Sequence, residues 1–186
     1  MKLAERNTDR LTNLVNDILD FEKLHSGAMR FQTKRFDLAR LAADRVAECQ
    51  GFAEATGVTF QMIEAARPVA VVGDAGRIGQ VIANILSNAA KYSDPGDRVE
   101  ISVSEMPGLG RVEISDRGPG IDARHRETIF GRFTQGDQSD TRANMGTGLG
   151  LSISKSIINH HGGHIDFRAN PGGGTVFFFE LPLTIE

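Results

Sequence analysis

The 21 glycines of this 186-residue chain are clustered rather than spread. Three clusters stand out: Gly118-Pro119-Gly120, Gly146-Thr147-Gly148-Leu149-Gly150 and Gly172-Gly173-Gly174. Glycine weakens the interior of helices and strands, and it lets backbone turn sharply or approach another group closely. The clusters therefore mark junctions between elements, and what surrounds each junction limits the folds available.

The first cluster follows an alternating strand-like run at 111–115, the second precedes a helical run at 148–161, and the third separates strands at 164–168 and 175–181. Upstream, 98–104 alternates in the same way and forms a hairpin with 111–115. Shorter strands are expected over 29–36, 58–63 and 69–72. Asp37 caps a helix reaching about Thr56 and ended by Gly57, and another helix runs from Asp74 to Tyr92. A short helix covers 122–130, and 131–147 is a long polar loop of the kind that often closes over a ligand. Strands in excess of helices, with a hairpin among them, predict an α/β two-layer sandwich: a mixed β-sheet with helices on one face. Residues 1–25 read as a preceding helix, with Leu11, Leu14, Val15, Ile18 and Leu19 at helical spacing and a stop at His25-Ser26-Gly27. A lone helix of this length is marginal in water, so its stripe needs a partner, either the rest of the chain or a second copy.

Composition excludes several classes. Hydrophobic residues at 40% and charged residues at 24% rule out wholesale disorder. A net charge of −3 makes nucleic acid a poor partner. The single cysteine, Cys49, allows no internal disulfide or cysteine zinc site and is expected to pack as a small side chain on helix 37–56. No apolar run is long enough to cross a membrane, so no membrane contact is expected of these residues.

Chemistry concentrates in three places. On helix 74–92, Ile78, Val81, Ile82, Ile85, Leu86 and Ala89 form one apolar face, whereas Arg77, Gln80, Asn84, Asn88 and Lys91 share another. A solvated face would favour Glu, Lys or Gln over asparagine, a weak helix former. Two amides and an ammonium in line suit a hard cation and phosphates. Asp116 presents a carboxylate at a strand end, ready to accept a hydrogen bond from an exocyclic amine. The glycines of 146–150 let backbone amides turn toward an anion at a helix start. The pattern is neither a P-loop nor a Rossmann fingerprint. His160, His161 and His164 suggest a metal, but glycines separate them, and histidines at a helix C-terminus favour its dipole.

In this order the elements resemble the ATP-binding catalytic domain of bacterial two-component sensor histidine kinases, within the GHKL superfamily. The N box is matched by Asn84-Ile85-Leu86-Ser87-Asn88-Ala89-Ala90-Lys91-Tyr92-Ser93, the G1 box by Asp116-Arg117-Gly118-Pro119-Gly120-Ile121, the F box by Ile129-Phe130-Gly131-Arg132-Phe133, and the G2 box by Gly146-Thr147-Gly148-Leu149-Gly150-Leu151. Gly174-Thr175 before the last strand is a further match. The resemblance covers about residues 30–184 and implies the Bergerat ATP-binding fold. Leu14-Val15-Asn16-Asp17-Ile18-Leu19-Asp20 and Lys23-Leu24-His25-Ser26-Gly27 resemble the second helix of the family's dimerisation and phosphotransfer hairpin. The implied division is 1–27 for that helix and 28–186 for the catalytic domain.

The resemblance further implies ATP and Mg²⁺ as cofactors. Asp116 reads the adenine amino group with support from Thr175. Asn88, with Asn84, faces Mg²⁺; Lys91 and Tyr92 contact phosphate or sugar, and Asn88 and Lys91 carry the catalytic role. Gly118, Gly120, Ile121, Phe133, Gly146, Thr147, Gly148, Leu149, Gly150 and Leu151 complete the nucleotide-binding set. Met145 stands where a further glycine is frequent, and Gln135 where some members carry an arginine that Arg132 or Arg142 could replace. The implied partners are a response-regulator receiver domain and a second protomer joined through the hairpin. The implied location is cytoplasmic, for a parent either soluble or anchored in the inner membrane. The family's acceptor is a histidine followed by an acidic residue, and none of the five histidines here has that neighbour. The chain is therefore expected to be a kinase cut within its hairpin, able to bind ATP but not to phosphorylate itself. Two other readings stay open: a nucleotide-binding regulatory module without phosphotransfer, and an anti-sigma-type serine kinase on the same fold. The N-terminal helix speaks against the latter.

Overall fold

Alternation along the strands decides where the core lies. In β4 (Arg98–Met106), Val99, Ile101 and Val103 are buried and their neighbours point away. β5 (Leu109–Ser115) buries Val112 and Ile114, β6 (His164–Ala169) buries Ile165 and Phe167, and β7 (Thr175–Pro182) buries Phe177, Phe179 and Leu181. With β2 (Thr59–Ile63) these strands form a five-stranded sheet in the order β2-β4-β5-β7-β6, parallel between β2 and β4 and antiparallel elsewhere. The register sets Ile114 beside Phe177 and Phe177 beside Phe167, so inward side chains form rows across the sheet. On the outer face Arg111 pairs with Glu180 and Glu113 and lies 4.6 Å from the Phe178 ring centroid. One apolar and one polar face is the pattern of a sheet covered on one side only.

The cover is made by α2 (Leu38–Glu48), α4 (Ala75–Tyr92) and α6 (Gly150–His160). The result is the expected α/β sandwich with a mixed sheet, preceded by a helix, α1 (Lys2–His25). The structure is a computed structural model and describes residues 2–63, 65, 67–122, 125–131 and 148–184.

Two expectations change. The strand expected over 29–36 is confined to β1 (Lys34–Asp37), which pairs with β3 (Ala70–Gly73) in a separate two-stranded sheet. Residues before it direct their backbone elsewhere: Met29 N–H donates to the Lys23 carbonyl, and Gln32 N–H to Asp74 Oδ2 at 2.8 Å. The helix expected over 37–56 breaks at Cys49 into α2 and α3 (Gln50–Thr56), with Gly51, a poor helix former, in the new segment. Cys49 is half-buried against the core at that junction. Burial pushes its thiol pKa up, the Glu48 charge adds to this, and Arg45 opposes it. The helix expected over 122–130 is described as α5 (Arg126–Ile129), closed by Phe130.

Caps fix the frame. Asp37 Oδ1 accepts from Ala39 N–H and Val69 N–H, both at 3.0 Å, tying α2 to the approach to β3. Asp74 Oδ1 caps α4 through Arg77 N–H. Burial pushes the Asp74 pKa up, but the N–H groups of Gln32, Arg77 and Gly76 outweigh it and hold the carboxyl below its ordinary value. His161 Nε2 accepts from Asp74 N–H at 2.9 Å, so Nδ1 carries the proton toward the Ile157 carbonyl. Helix α1 joins this frame through Asp20, whose Oδ2 accepts from Arg77 Nη1 at 2.7 Å and Gln80 Nε2 at 2.9 Å.

Candidate functional site

After β5 the chain leaves the sheet, passes α5 and α6, returns as edge strand β6, and only then inserts β7 beside β5. This route brings the end of β5 against the start of β7, above the C-terminal half of α4. Asp116 and Thr175 meet there. Asp116 N–H donates to the Thr175 carbonyl at 2.8 Å, and Thr175 N–H donates back to Asp116 Oδ1 at 2.9 Å. Gly118 N–H donates to the same Oδ1 at 3.0 Å. Among the described residues every hydrogen bond to this carboxylate falls on Oδ1, which leaves Oδ2 for a donor from outside. Asp116 is only 5% exposed. Burial pushes its pKa up; the two N–H groups oppose this, and Asp97 adds a small rise. A buried carboxylate with one oxygen satisfied and one unused is an acceptor awaiting a donor.

The G1-box glycine has a steric cause beyond ligand access. A Cβ on Gly118 would lie 2.7 Å from the Tyr92 carbonyl oxygen, so only glycine lets this loop back onto the end of α4. Ile121 is half-buried against the core, while Gly120 takes a φ of 79°. The polar face of α4 divides into two uses. Arg77 and Gln80 are engaged with Asp20. Further along, Asn84 Nδ2 donates to Ser154 Oγ of α6 at 3.0 Å, and a Cβ on Gly150 would collide with Asn84 Oδ1. Gly150 thus lets α6 sit against the N-box asparagine. Asn88, one turn on, is half-buried and makes no side-chain hydrogen bond among the described residues. Lys91 Nζ lies 3.2 Å from Tyr92 Oη, and Tyr92 is exposed.

Leu149 is buried and immediately precedes α6, whose N-cap makes no side-chain capping bond among the described residues, and a helix start of this kind favours an anion. Gly148 adopts a φ of 70°, and Leu151 packs half-buried against the core. Phe130 of the F box is buried beneath Lys155, whose Nζ is 5.4 Å from the ring centroid. Phe133, Gly146 and Thr147, with Arg132, Gln135, Arg142 and Met145, lie outside the described residues. Sequence reasoning missed Ser154 and Asn170, whose side chains bond Asn84 and the Asp116 carbonyl. An asparagine before a Pro-Gly turn signals a turn, and nothing local marks a partner 54 residues away.

The chain belongs to the family of histidine kinase-, DNA gyrase B- and HSP90-like ATPases, whose model matches residues 73–185. It is 36% identical to the sensor histidine kinase TmoS of Ectopseudomonas mendocina, over 98% of this chain and 19% of that protein. It is also 36% identical to the probable sensor histidine kinase TcrY of Mycobacterium tuberculosis, over 98% of this chain and 38% of that one. The chain thus spans less than two fifths of either relative. Among solved structures it superposes on full-length ShkA in complex with AMPPNP with a TM-score of 0.83, at 27% identity, covering 97% of this chain and 37% of ShkA. Histidine kinase ThkA in complex with the response regulator TrrA gives 0.77, at 28% identity, covering 98% of this chain and 50% of that one.

Proposed function

We propose that residues 28–186 are the ATP-binding catalytic part of a sensor histidine kinase. It delivers the ATP γ-phosphate to a histidine, for relay to a response-regulator aspartate. Residues 1–27 are the second helix of the hairpin that dimerises the parent protein and carries the acceptor. The half-satisfied carboxylate of Asp116 carries this reading, because adenine offers the exocyclic N–H that Oδ2 lacks. The AMPPNP complex of ShkA and the response-regulator complex of ThkA support it.

The residues present suit the cofactors. Asn88 brings a half-buried amide oxygen to the α4 face, and Asn84 Oδ1 lies one turn away. Together they suit Mg²⁺, which takes few protein ligands and keeps several waters. When bound, the ion would draw phosphate oxygens together and neutralise charge on the transferred group. Lys91 adds a cation beside that position, and Tyr92 faces phosphate or sugar. The glycine-rich start of α6 faces the phosphate tail, and Gly146, Thr147 and Phe133, outside the described residues, are assigned to nucleotide binding by the sequence motifs. Positioning and charge neutralisation are the protein's share of the chemistry, since the nucleophile is an imidazole on another helix. None of the five histidines here has the acidic neighbour of the family's acceptor, so the chain alone binds ATP without labelling itself. Such a fragment acts in the cytoplasm, where ATP and the response regulator are found.

Incubating the chain with γ-labelled ATP, alone and with a protein carrying the first hairpin helix, tests the reading. Acid-labile label appearing only in the mixture, on the added helix, is the expected result. Label on the chain alone, lost when one of its histidines is replaced, would overturn the missing-acceptor reading. ATP binding without transfer in either case would favour a regulatory module.

A further inference from the structure

The Asp116 carbonyl lies beyond the end of a ladder. β5 stops at Ser115, and the last bond on that edge is Asp116 N–H to the Thr175 carbonyl. The ladder donor to this carbonyl would be the Thr175 N–H, but that group is turned to Asp116 Oδ1, and the chain before it leaves the ladder through Gly172, Gly173 and Gly174, all at positive φ. The carbonyl is nonetheless satisfied. Asn170 Nδ2, reaching across from the end of β6, donates to it at 2.8 Å. The turn that holds Asn170 is fixed by main chain alone: Asn170 N–H donates to the Gly174 carbonyl and Gly173 N–H to the Asn170 carbonyl, both at 3.0 Å. Gly174 lets the turn close, since a Cβ there would collide with the same Asp116 carbonyl.

We infer that Asn170 is a positioning residue for base selection: its side-chain amide stands in for the absent strand donor and aims the Asp116 carboxylate at the exocyclic amine of the purine. This rests on the reading of Asp116 as the adenine acceptor. The physical link is short. Thr175 and Gly118 fix Oδ1, but the plane of the carboxyl group follows the Asp116 main chain, which has one anchor on its N–H and one on its carbonyl. Without Asn170, a buried carbonyl in a residue 5% exposed has no partner and the peptide turns to find water. Oδ2 then loses its aim, although the carboxylate stays in the pocket.

Asn170→Asp keeps the shape and removes the donor, and Asn170→Ala removes the side chain. In both, the main-chain bonds of the turn remain. Dissociation constants for ADP, and for inosine diphosphate by displacement of labelled ADP, separate aim from fold, because hypoxanthine has no exocyclic amine. Both variants are expected to weaken ADP about three- to tenfold, the worth of one buried hydrogen bond, with inosine diphosphate changed less than about twofold. Preference for adenine therefore shrinks, in variants whose unfolding midpoint is lowered by the lost bond but which remain folded at the temperature of titration. An Asp116→Asn control reports on the underlying reading. If Asp116→Asn abolishes the preference and the Asn170 variants keep it, the inference about Asn170 fails and the adenine reading stands. If the Asn170 variants weaken both nucleotides equally, the residue is merely structural and the inference fails. If Asp116→Asn keeps the parent preference, the adenine reading fails and the inference falls with it.

Discussion

Helices α1 and α4 both carry an apolar stripe at helical spacing, and they end up in opposite surroundings. In α4, Ile78, Val81, Ile82, Ile85, Leu86 and Ala89 are at most 2% exposed, packed between the sheet and α2 and α6. In α1, Leu11 is 62% exposed, Val15 52%, Ile18 43% and Leu19 49%. Among the described residues, the end of α1 engages the domain through Phe21 and Leu24 against the core and Asp20 against Arg77 and Gln80. Amphipathic periodicity tells that a helix has a face to bury but not what buries it. α4 finds its cover within this chain. The stripe of α1 stays exposed among the described residues.

The largest break in this comparison comes from the α4 side. Ile82→Ala is expected to cost about 2–5 kcal/mol in denaturant unfolding, through lost transfer energy and a residual cavity. Asp20→Ala comes next. It leaves the half-buried Arg77 guanidinium without its carboxylate, at a cost of about 1–3 kcal/mol. Hydrogen exchange should quicken along the end of α1 while the sheet stays protected. Val15→Ala is expected to change unfolding by less than about 0.5 kcal/mol, since its side chain is already in water. A loss as large as that of Ile82→Ala would show that α1 is covered after all.

A smaller effect is readable by pH. The Asp116 pKa is raised by burial, so the native state takes up this proton more readily than the unfolded chain. Its contribution to stability is present below the unfolded value and is lost as pH rises through the folded one. Adenine recognition has the opposite sign, because only the ionised carboxylate accepts without also donating. ADP affinity should fall as pH drops through the raised value, and Asp116→Asn should flatten that part of the profile.

Much of the frame is legible in the sequence. The alternation 98–104 and 111–115 makes the hairpin, the stripe of α4 makes the buried helix, and Asp116 before Gly118 makes a strand-end carboxylate. What is not legible depends on approach between distant segments. Gly118 is set by the Tyr92 carbonyl, Gly150 by Asn84, and the Asp116 carbonyl by Asn170. Each looks locally like turn chemistry, because turns and close approaches select the same residue types. The break at Cys49 escaped for another reason: the apolar positions of 38–53 keep a helical period on both sides of it.

Calorimetric titration of ADP into the chain and into its Asp116→Asn variant tests the central claim, that this sandwich holds a nucleotide through a buried carboxylate. One saturable site in the parent is predicted. The variant should be weaker by about 10- to 100-fold, as for loss of a hydrogen bond to a charged group, with its circular dichroism unchanged. Equal affinity in the two proteins would contradict the account.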